Sequence, residues 1–315
     1  MQTINMNGFL VCGIISLVIY LVQYNWTFIF IYTLLFAGFL GLKSRIVSDS
    51  FQRFNSMRRK LSIASWSDPD SPECHGQGTI LISNALTFLS SYNAKTGQNM
   101  TLSQLLIKIS ADSYSQYNDM NGRLAFGYFV PNQETDVTLI TPLNNGKNLS
   151  YIHLHSCNKK QLKEVVSLCT TNSVPLYNNG SVNIPSYLAN LIQYLPTGIS
   201  APVLEIVSYL TVSMGIDLPG IKRHPFGSVI LIDCSNLLSD ILYPAIIPFF
   251  RAPVISILSA VKEIPAAVNG KIVTQKVVTM TFTGDHRFGD GTRAIRAMND
   301  MKQRLENPQD YYIIE

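Results

Sequence analysis

The stretch "FTGDHRFGDGTRAIR", residues 282–296, sets Asp285, His286, Arg287 and Asp290 beside Gly289 and Gly291 within seven positions. In "VTMTFT" (278–283), just upstream, Val278, Met280 and Phe282 fall on one face. Thr279, Thr281 and Thr283 fall on the other, the period of a strand. Downstream, "TRAIRAMNDMKQRLENP" (292–308) puts Ala294, Ile295, Met298, Met301 and Leu305 on one stripe, with Pro308 just beyond. That is a helix and its stop. His286 is therefore expected in a strand–turn–helix junction, mounted on rigid elements yet able to reach a cleft. An imidazole titrating near pH 6.5 suits a general base. An Arg–Asp pair can lock such a turn, and the two glycines permit torsions or close approaches that a side chain forbids. On composition alone, a polar turn with an incidental histidine accounts for the same residues equally well.

Working outward, strand-like and helix-like pieces alternate. "NMTLSQLLIKISADSYSQY" (99–117) reads as a helix that Thr101 or Ser103 can cap. "NGRLAFGYFV" (121–130), "TDVTLITPL" (135–143), "LSYIHLHS" (149–156) and "FGSVILID" (226–233) read as strands, and "NKKQLKEVVSLC" (158–169) as an amphipathic helix. Asn269-Gly270 marks a hairpin turn before the long strand. Mixed strands and helices with hairpins imply an α/β or α+β domain. Residues 185–218 form an apolar helical stretch broken at Pro196 and Pro202, read as a covered helical pair or as a surface for bilayer or lipid. Nucleophile-elbow, HExxH, P-loop and dinucleotide fingerprints are missing from the sequence. His153 and His155 share one strand face, but no third ligand is evident in sequence, so no metal site is expected.

Of the 315 residues, 47% are hydrophobic and only 14% charged. All 24 Lys/Arg and all 20 Asp/Glu lie at or after Lys43. The apolar runs 8–24 and 26–42, separated by the interfacial types around Tyr24 and Trp26, each reach roughly 25 Å as a helix. They predict a hairpin of two short transmembrane helices, an anchor over residues 1–42. A basic juxtamembrane linker occupies 43–60, with Arg45, Arg53, Arg58, Arg59 and Lys60 against Asp49. That bias predicts a cytoplasmic placement for the domain C-terminal to it. Four Asn-x-Ser/Thr tripeptides point weakly the other way. Five scattered cysteines without a CxxC read as reduced, buried thiols. The net charge of +4 and the lack of a basic aromatic run give no support to nucleic-acid binding.

"DHRFGDG" followed by a helix closing on "LENP" (305–308) resembles the C-terminal signature of the dihydrolipoamide acyltransferase catalytic domain of the 2-oxo acid dehydrogenase complexes, a family with the chloramphenicol acetyltransferase-like fold. "MRRKLSIASW" (57–66), "MTLSQLLIKISADSY" (100–114), "TDVTLITP" (135–142) and "YPAIIPFFRAPVISILSAV" (243–261) resemble further segments of that domain. The resemblance implies an α/β (α+β) two-layer sandwich over residues 61–315. It implies His286 as general base toward a thiol or hydroxyl acceptor, with an acyl-CoA thioester as co-substrate and no covalently bound cofactor. It implies Asp290 as a structural lock of the turn, working with Arg287 or Arg59 and Gly291, and a homotrimer whose active sites lie between subunits.

In one strand the chain departs from the family. Where the family places a Ser or Thr that donates to the tetrahedral oxyanion, "GSVILIDCSN" (227–236) sets Ile232 or Asp233, and Ser235 aligns only with a shift. An aspartate there would repel an oxyanion, and Ser235 also reads as the cap of a turn. Upstream, where the family carries a lipoyl domain, stands the apolar segment, so a working core subunit of a dehydrogenase complex is not expected. The expectation is a membrane-anchored acyltransferase with a small-molecule or lipid acceptor; the alternative is a catalytically silent oligomeric scaffold or binding protein of the same fold.

Overall fold

The computed structural model describes residues 13, 16–18, 26–46, 72–143, 148–171, 174–175, 177–178, 181–182, 197–237, 241–268 and 270–314. Its elements run α1 (Trp26–Ile46), β1 (Glu73–Leu81), α2 (Ser83–Thr96), α3 (Leu102–Gln116), β2 (Gly122–Ala125), β3 (Tyr128–Pro131), β4 (Val137–Leu143), β5 (Asn148–Leu154) and α4 (Leu162–Thr171). Three two-residue strands come next, β6 (Val174–Pro175), β7 (Tyr177–Asn178) and β8 (Ser181–Val182). Then come α5 (Thr197–Ser208), β9 (Val229–Asp233), β10 (Val254–Leu258), β11 (Lys262–Val268), β12 (Lys271–Asp285) and α6 (Gly291–Glu306). Two compact units result: Met1–Pro72 with Leu124–Pro131, and Glu73–Arg123 with Asn132–Glu315.

The larger unit is built on an eight-stranded mixed sheet in the order β1-β12-β10-β9-β4-β5-β6, with β11 also paired to β12. Strands β9 and β10, and β4 and β9, run parallel; β1, β10 and β11 each pair antiparallel with β12. The alternation read in 278–283 is real. Val278, Met280 and Phe282 are buried in the main core. Thr281 and Thr283, on the other face, are buried too, where Thr281 donates to the Leu242 carbonyl and Thr283 meets His75. Gly270 takes φ +76°, as the hairpin between β11 and β12 requires.

Helices α3 and α6 pack beside one another on this sheet. Helix α3 starts where Thr101 accepts from the Gln104 amide while Gln104 reaches back to the Thr101 amide. That reciprocal box satisfies two amides the helix cannot pair itself. Ten of its residues are buried, Lys108 among them. The Lys108 ammonium donates to Asp112 and to the carbonyls of Cys157 and Asn158, so its burial is compensated. The fold is α/β, as the sequence led us to expect.

Two expectations change. Helix α5 runs through Pro202 instead of breaking there, without the bond that Pro202 cannot donate; residues 185–196 lie outside the described residues. Its end is tied down, since Ser208 donates to the Phe249 carbonyl at 2.6 Å and accepts from Arg251 at 3.0 Å. Of the expected transmembrane hairpin, the second helix is α1, and most of 8–24 lies outside the described residues. Among the described residues no helix is long and apolar enough to cross a membrane. Phe30, Leu34, Leu35, Phe36 and Leu40 of α1 are exposed, and Phe39 meets Phe126 edge to face at 5.3 Å.

Candidate active site

Strand β12 ends at Asp285, and the chain turns at once. The Asp285 amide donates to the Pro253 carbonyl at 2.9 Å and the Phe288 amide to the Asp285 carbonyl at 3.0 Å, so the turn is closed from both sides. The Asp285 carboxylate, 4% exposed, accepts from the Arg287 amide at 2.9 Å and from its guanidinium at 2.7–3.1 Å. This chelate of residue i by residue i+2 holds His286 between its two partners. The Nδ1 atom of His286 is buried.

Asp290 ends the turn as the N-cap of α6. Its side chain accepts from the Arg293 amide at 3.1 Å, and a carboxylate suits the positive end of the helix. Arg293 then pairs with Asp119 at 2.7 Å. Gly291 is the first helical residue, with open space where a Cβ would stand. Gly289 is different. A Cβ there would meet Met120 Cγ at 3.0 Å, so this glycine admits the close approach of Met120. Arg59, the other candidate for the turn lock, lies outside the described residues.

The turn forms one wall of a cavity of ≈ 300 Å³. His286, Asp285 and Asp290 line it together with Tyr114, Met120, Phe282, Phe288, Met298 and Met301, so its lining is mostly apolar. Strand β1 supplies Cys74 and His75, which no pattern in the sequence singles out. They arrive because Cys74 stands opposite Gly284 and His75 opposite Thr283 in the β1–β12 ladder. His75 Nδ1 lies 2.9 Å from Thr283 Oγ1, and its ring lies 5.6 Å from that of Tyr243. Burial, reinforced by the charge of Asp285, pushes the Cys74 thiol up from its usual range. That removes the thiolate a nucleophile would need.

Ser235 is not brought to this turn. Register makes Gly284 level with Val254 and Val229, and Asp233 level with Leu258. His286 therefore leaves one end of the sheet and Ser235 the other, at least roughly 13 Å apart along four strand residues. Buried Asp233 accepts from Ser103 and, at 2.9 Å, from the Ser235 amide. Asp233 is thus engaged in a local turn, which begins a short 3₁₀ segment, Ser235–Leu237.

This architecture resembles the fold of acyltransferase catalytic domains. Residues 244–313 match the family of 2-oxoacid dehydrogenases acyltransferase (catalytic domain), and the resemblance read from the terminal motif is thereby shown. A probable dihydrolipoyllysine-residue succinyltransferase component of the mitochondrial 2-oxoglutarate dehydrogenase complex of Schizosaccharomyces pombe is 26% identical over 130 residues, 38% of this chain and 28% of the relative. The corresponding component of Saccharomyces cerevisiae is 34% identical over 64 residues, 20% of this chain and 14% of the relative. The chain spans less than a third of the length of these relatives. Among solved structures, Azotobacter vinelandii dihydrolipoamide acetyltransferase superposes with a TM-score of 0.54 at 13% identity, covering 76% of this chain and 84% of that one. The cubic core of a pyruvate dehydrogenase multienzyme complex gives 0.53 at 14% identity over the same shares. At such identity these superpositions establish the fold.

Proposed function

We propose that this chain is an acyltransferase that moves an acyl group from a coenzyme A thioester to a thiol or hydroxyl acceptor, with His286 as general base. What carries this reading is the mounting of His286: a histidine in a chelated turn, between a strand and a capped helix, on the wall of an apolar cavity. In the reaction the imidazole takes the proton from the acceptor. The acceptor's sulfur or oxygen attacks the thioester carbonyl, and the carbonyl electrons move onto oxygen. Collapse of this intermediate breaks the C–S bond, and the thiolate of coenzyme A leaves with the proton that His286 holds. Asp290 acts at one remove, by fixing where the turn enters α6. The low polarity of the cavity strengthens electrostatic effects on the developing charge and suits an apolar acceptor or acyl chain.

The oxyanion donor belongs to a second copy in this reading. Ser235 leaves the opposite end of the sheet from His286, so a homo-oligomer with its sites between copies would bring one chain's serine to another's histidine. The apolar helix α1, with the basic segment after it, would anchor the domain at a membrane on its cytoplasmic side. Protease protection of a tagged C-terminus in intact vesicles would count against that orientation.

The test is acyl transfer from a panel of acyl-CoA thioesters by the chain and by His286→Ala. Equal rates in the two would remove His286 from the chemistry. A second reading, a silent oligomeric scaffold, is supported by the sequence of the strand that in the family carries the oxyanion donor: Ile232 or Asp233 falls at that position, and Asp233 is a buried carboxylate. It predicts that neither protein transfers acyl groups and that the chain shows no binding isotherm with coenzyme A.

A further inference from the structure

Three metal-ligating side chains meet at the ends of two neighbouring strands. Asp136 immediately precedes β4, His153 lies in β5 and His155 just beyond it. The ladder sets Val137 opposite Leu154, and positions 153 and 155 share a face. Oδ2 of Asp136 lies 3.0 Å from His155 Nδ1 and 4.0 Å from His153 Nε2. One ligand atom from each residue falls within 4.8 Å of the other two.

Hydrogen bonds decide which nitrogen of His153 is available. Thr138 donates its single hydroxyl proton to the Phe226 carbonyl at 2.8 Å. It therefore accepts from His153 Nδ1, also at 2.8 Å. Nδ1 carries the proton and Nε2 presents a lone pair. That Nε2 is buried and has no hydrogen-bond partner among the described residues. What it faces is a carboxylate oxygen, a second acceptor. The buried Nε2 thus faces an acceptor on a carboxylate that is 21% exposed and that also lies 3.0 Å from His155 Nδ1, and a cation held by all three side chains would satisfy Nε2. A neutral imidazole held through Nδ1–H by an outer group is also how metal-bound histidines are oriented. Asp136 is oriented in its turn, its Oδ1 accepting from the Ser156 amide at 2.8 Å.

We propose that Asp136, His153 and His155 bind one divalent transition-metal ion, zinc by preference. Two imidazoles and one carboxylate suit zinc, whereas magnesium and calcium take all-oxygen sets. The side chain of His155 is 57% exposed, so a remaining coordination position faces water. The site stands at the same end of the sheet as His286. Val137 is level with Val229, Val229 with Val254, and Val254 with Gly284, which is three strand spacings or roughly 14 Å. It is thus separate from the His286 cavity and holds whether or not the chain transfers acyl groups.

The test is titration of the metal-stripped full chain with zinc chloride alone, followed by calorimetry. One zinc per chain is expected, together with a thermal transition that rises with zinc concentration. His155→Ala changes an exposed side chain and should fold; it is expected to weaken binding at least ~10-fold, and Thr138→Val, which loses the outer hydrogen bond, ~10–100-fold. Absence of binding by the unmodified chain, or a loss under 10-fold in His155→Ala, would overturn the site.

Discussion

Arg287 grips Asp285 two residues behind it with both its backbone amide and its guanidinium, and His286 is the residue they enclose. The position of the imidazole therefore depends on a carboxylate that has no chemistry to perform. Replacing Asp285 by Ala leaves these donors without their acceptor. Arg287 keeps 28% of its side chain exposed, so a loss of about 2 kcal/mol is expected, as for hydrogen bonds to a charged group. Denaturant unfolding measures it, and an unchanged midpoint would show that the chelate contributes nothing.

Gly289 tests the second support of the turn. Its replacement by Ala places a Cβ 3.0 Å from Met120 Cγ, a crowding expected to cost about 1 kcal/mol. Met120→Ala alone opens a void. In the double variant the new methyl enters space the methionine has left, so the two losses should be sub-additive by at least about 0.5 kcal/mol. Strict additivity would mean that Gly289 and Met120 do not press on one another.

Thr101→Ala removes the acceptor of the Gln104 amide and with it half of the box that starts α3. The expected cost is about 1 kcal/mol. Thr101→Ser should recover most of it, because the hydroxyl returns; a serine variant as weak as the alanine one would rule out the cap as the cause.

His224 predicts how stability depends on pH. Burial, then the nearby Arg123, lower its pKa to about 4, with Asp136 opposing and Arg223 adding to the shift. The unfolded histidine titrates near 6.5. Between these values the unfolded chain binds more protons than the folded one, so stability is full above pH 6.5 and is lost as pH falls toward 4. His224 has φ +51°, which Asn tolerates. His224→Asn should therefore fold and should flatten the acid limb of a melting-temperature profile. An acid limb identical to that of the unmodified chain would assign the loss to other groups.

Local chemistry was readable where a feature completes itself within a few residues. The threonine alternation of 278–283 and the cap of α3, offered by Thr101 or Ser103 and taken by Thr101, are set by neighbours in sequence; of the stripe read on α6, Met301 and Leu305 are buried, while Ala294 and Ile295 are exposed and border the cavity instead. The turn lock was legible only in kind. The sequence suggested an Arg–Asp pair around His286, and the arginine's carboxylate partner here is Asp285, while Asp290 caps the helix. Cys74 and His75 carried no signal, because a ladder spanning some two hundred residues of chain brings them to the cavity. Asp136 was likewise invisible beside His153 and His155. Its membership depends on which strand lies next to β5, and spacing along the chain does not encode that. Pro202 misled for a related reason: a proline costs a helix one bond, but a tail anchored through Ser208 can compensate.

The opposite exits of Ser235 and His286 from a single sheet have a genetic consequence. If one copy's serine serves another's histidine, two alleles defective at different residues can rescue each other. Co-expression of His286→Ala with Ser235→Ala would assemble some sites that inherit both intact groups, and activity would return to a fraction of the normal level. A cell carrying either allele alone would have none. Such intragenic complementation needs the opposite exits together with an assembly that sets one copy's serine against another's histidine.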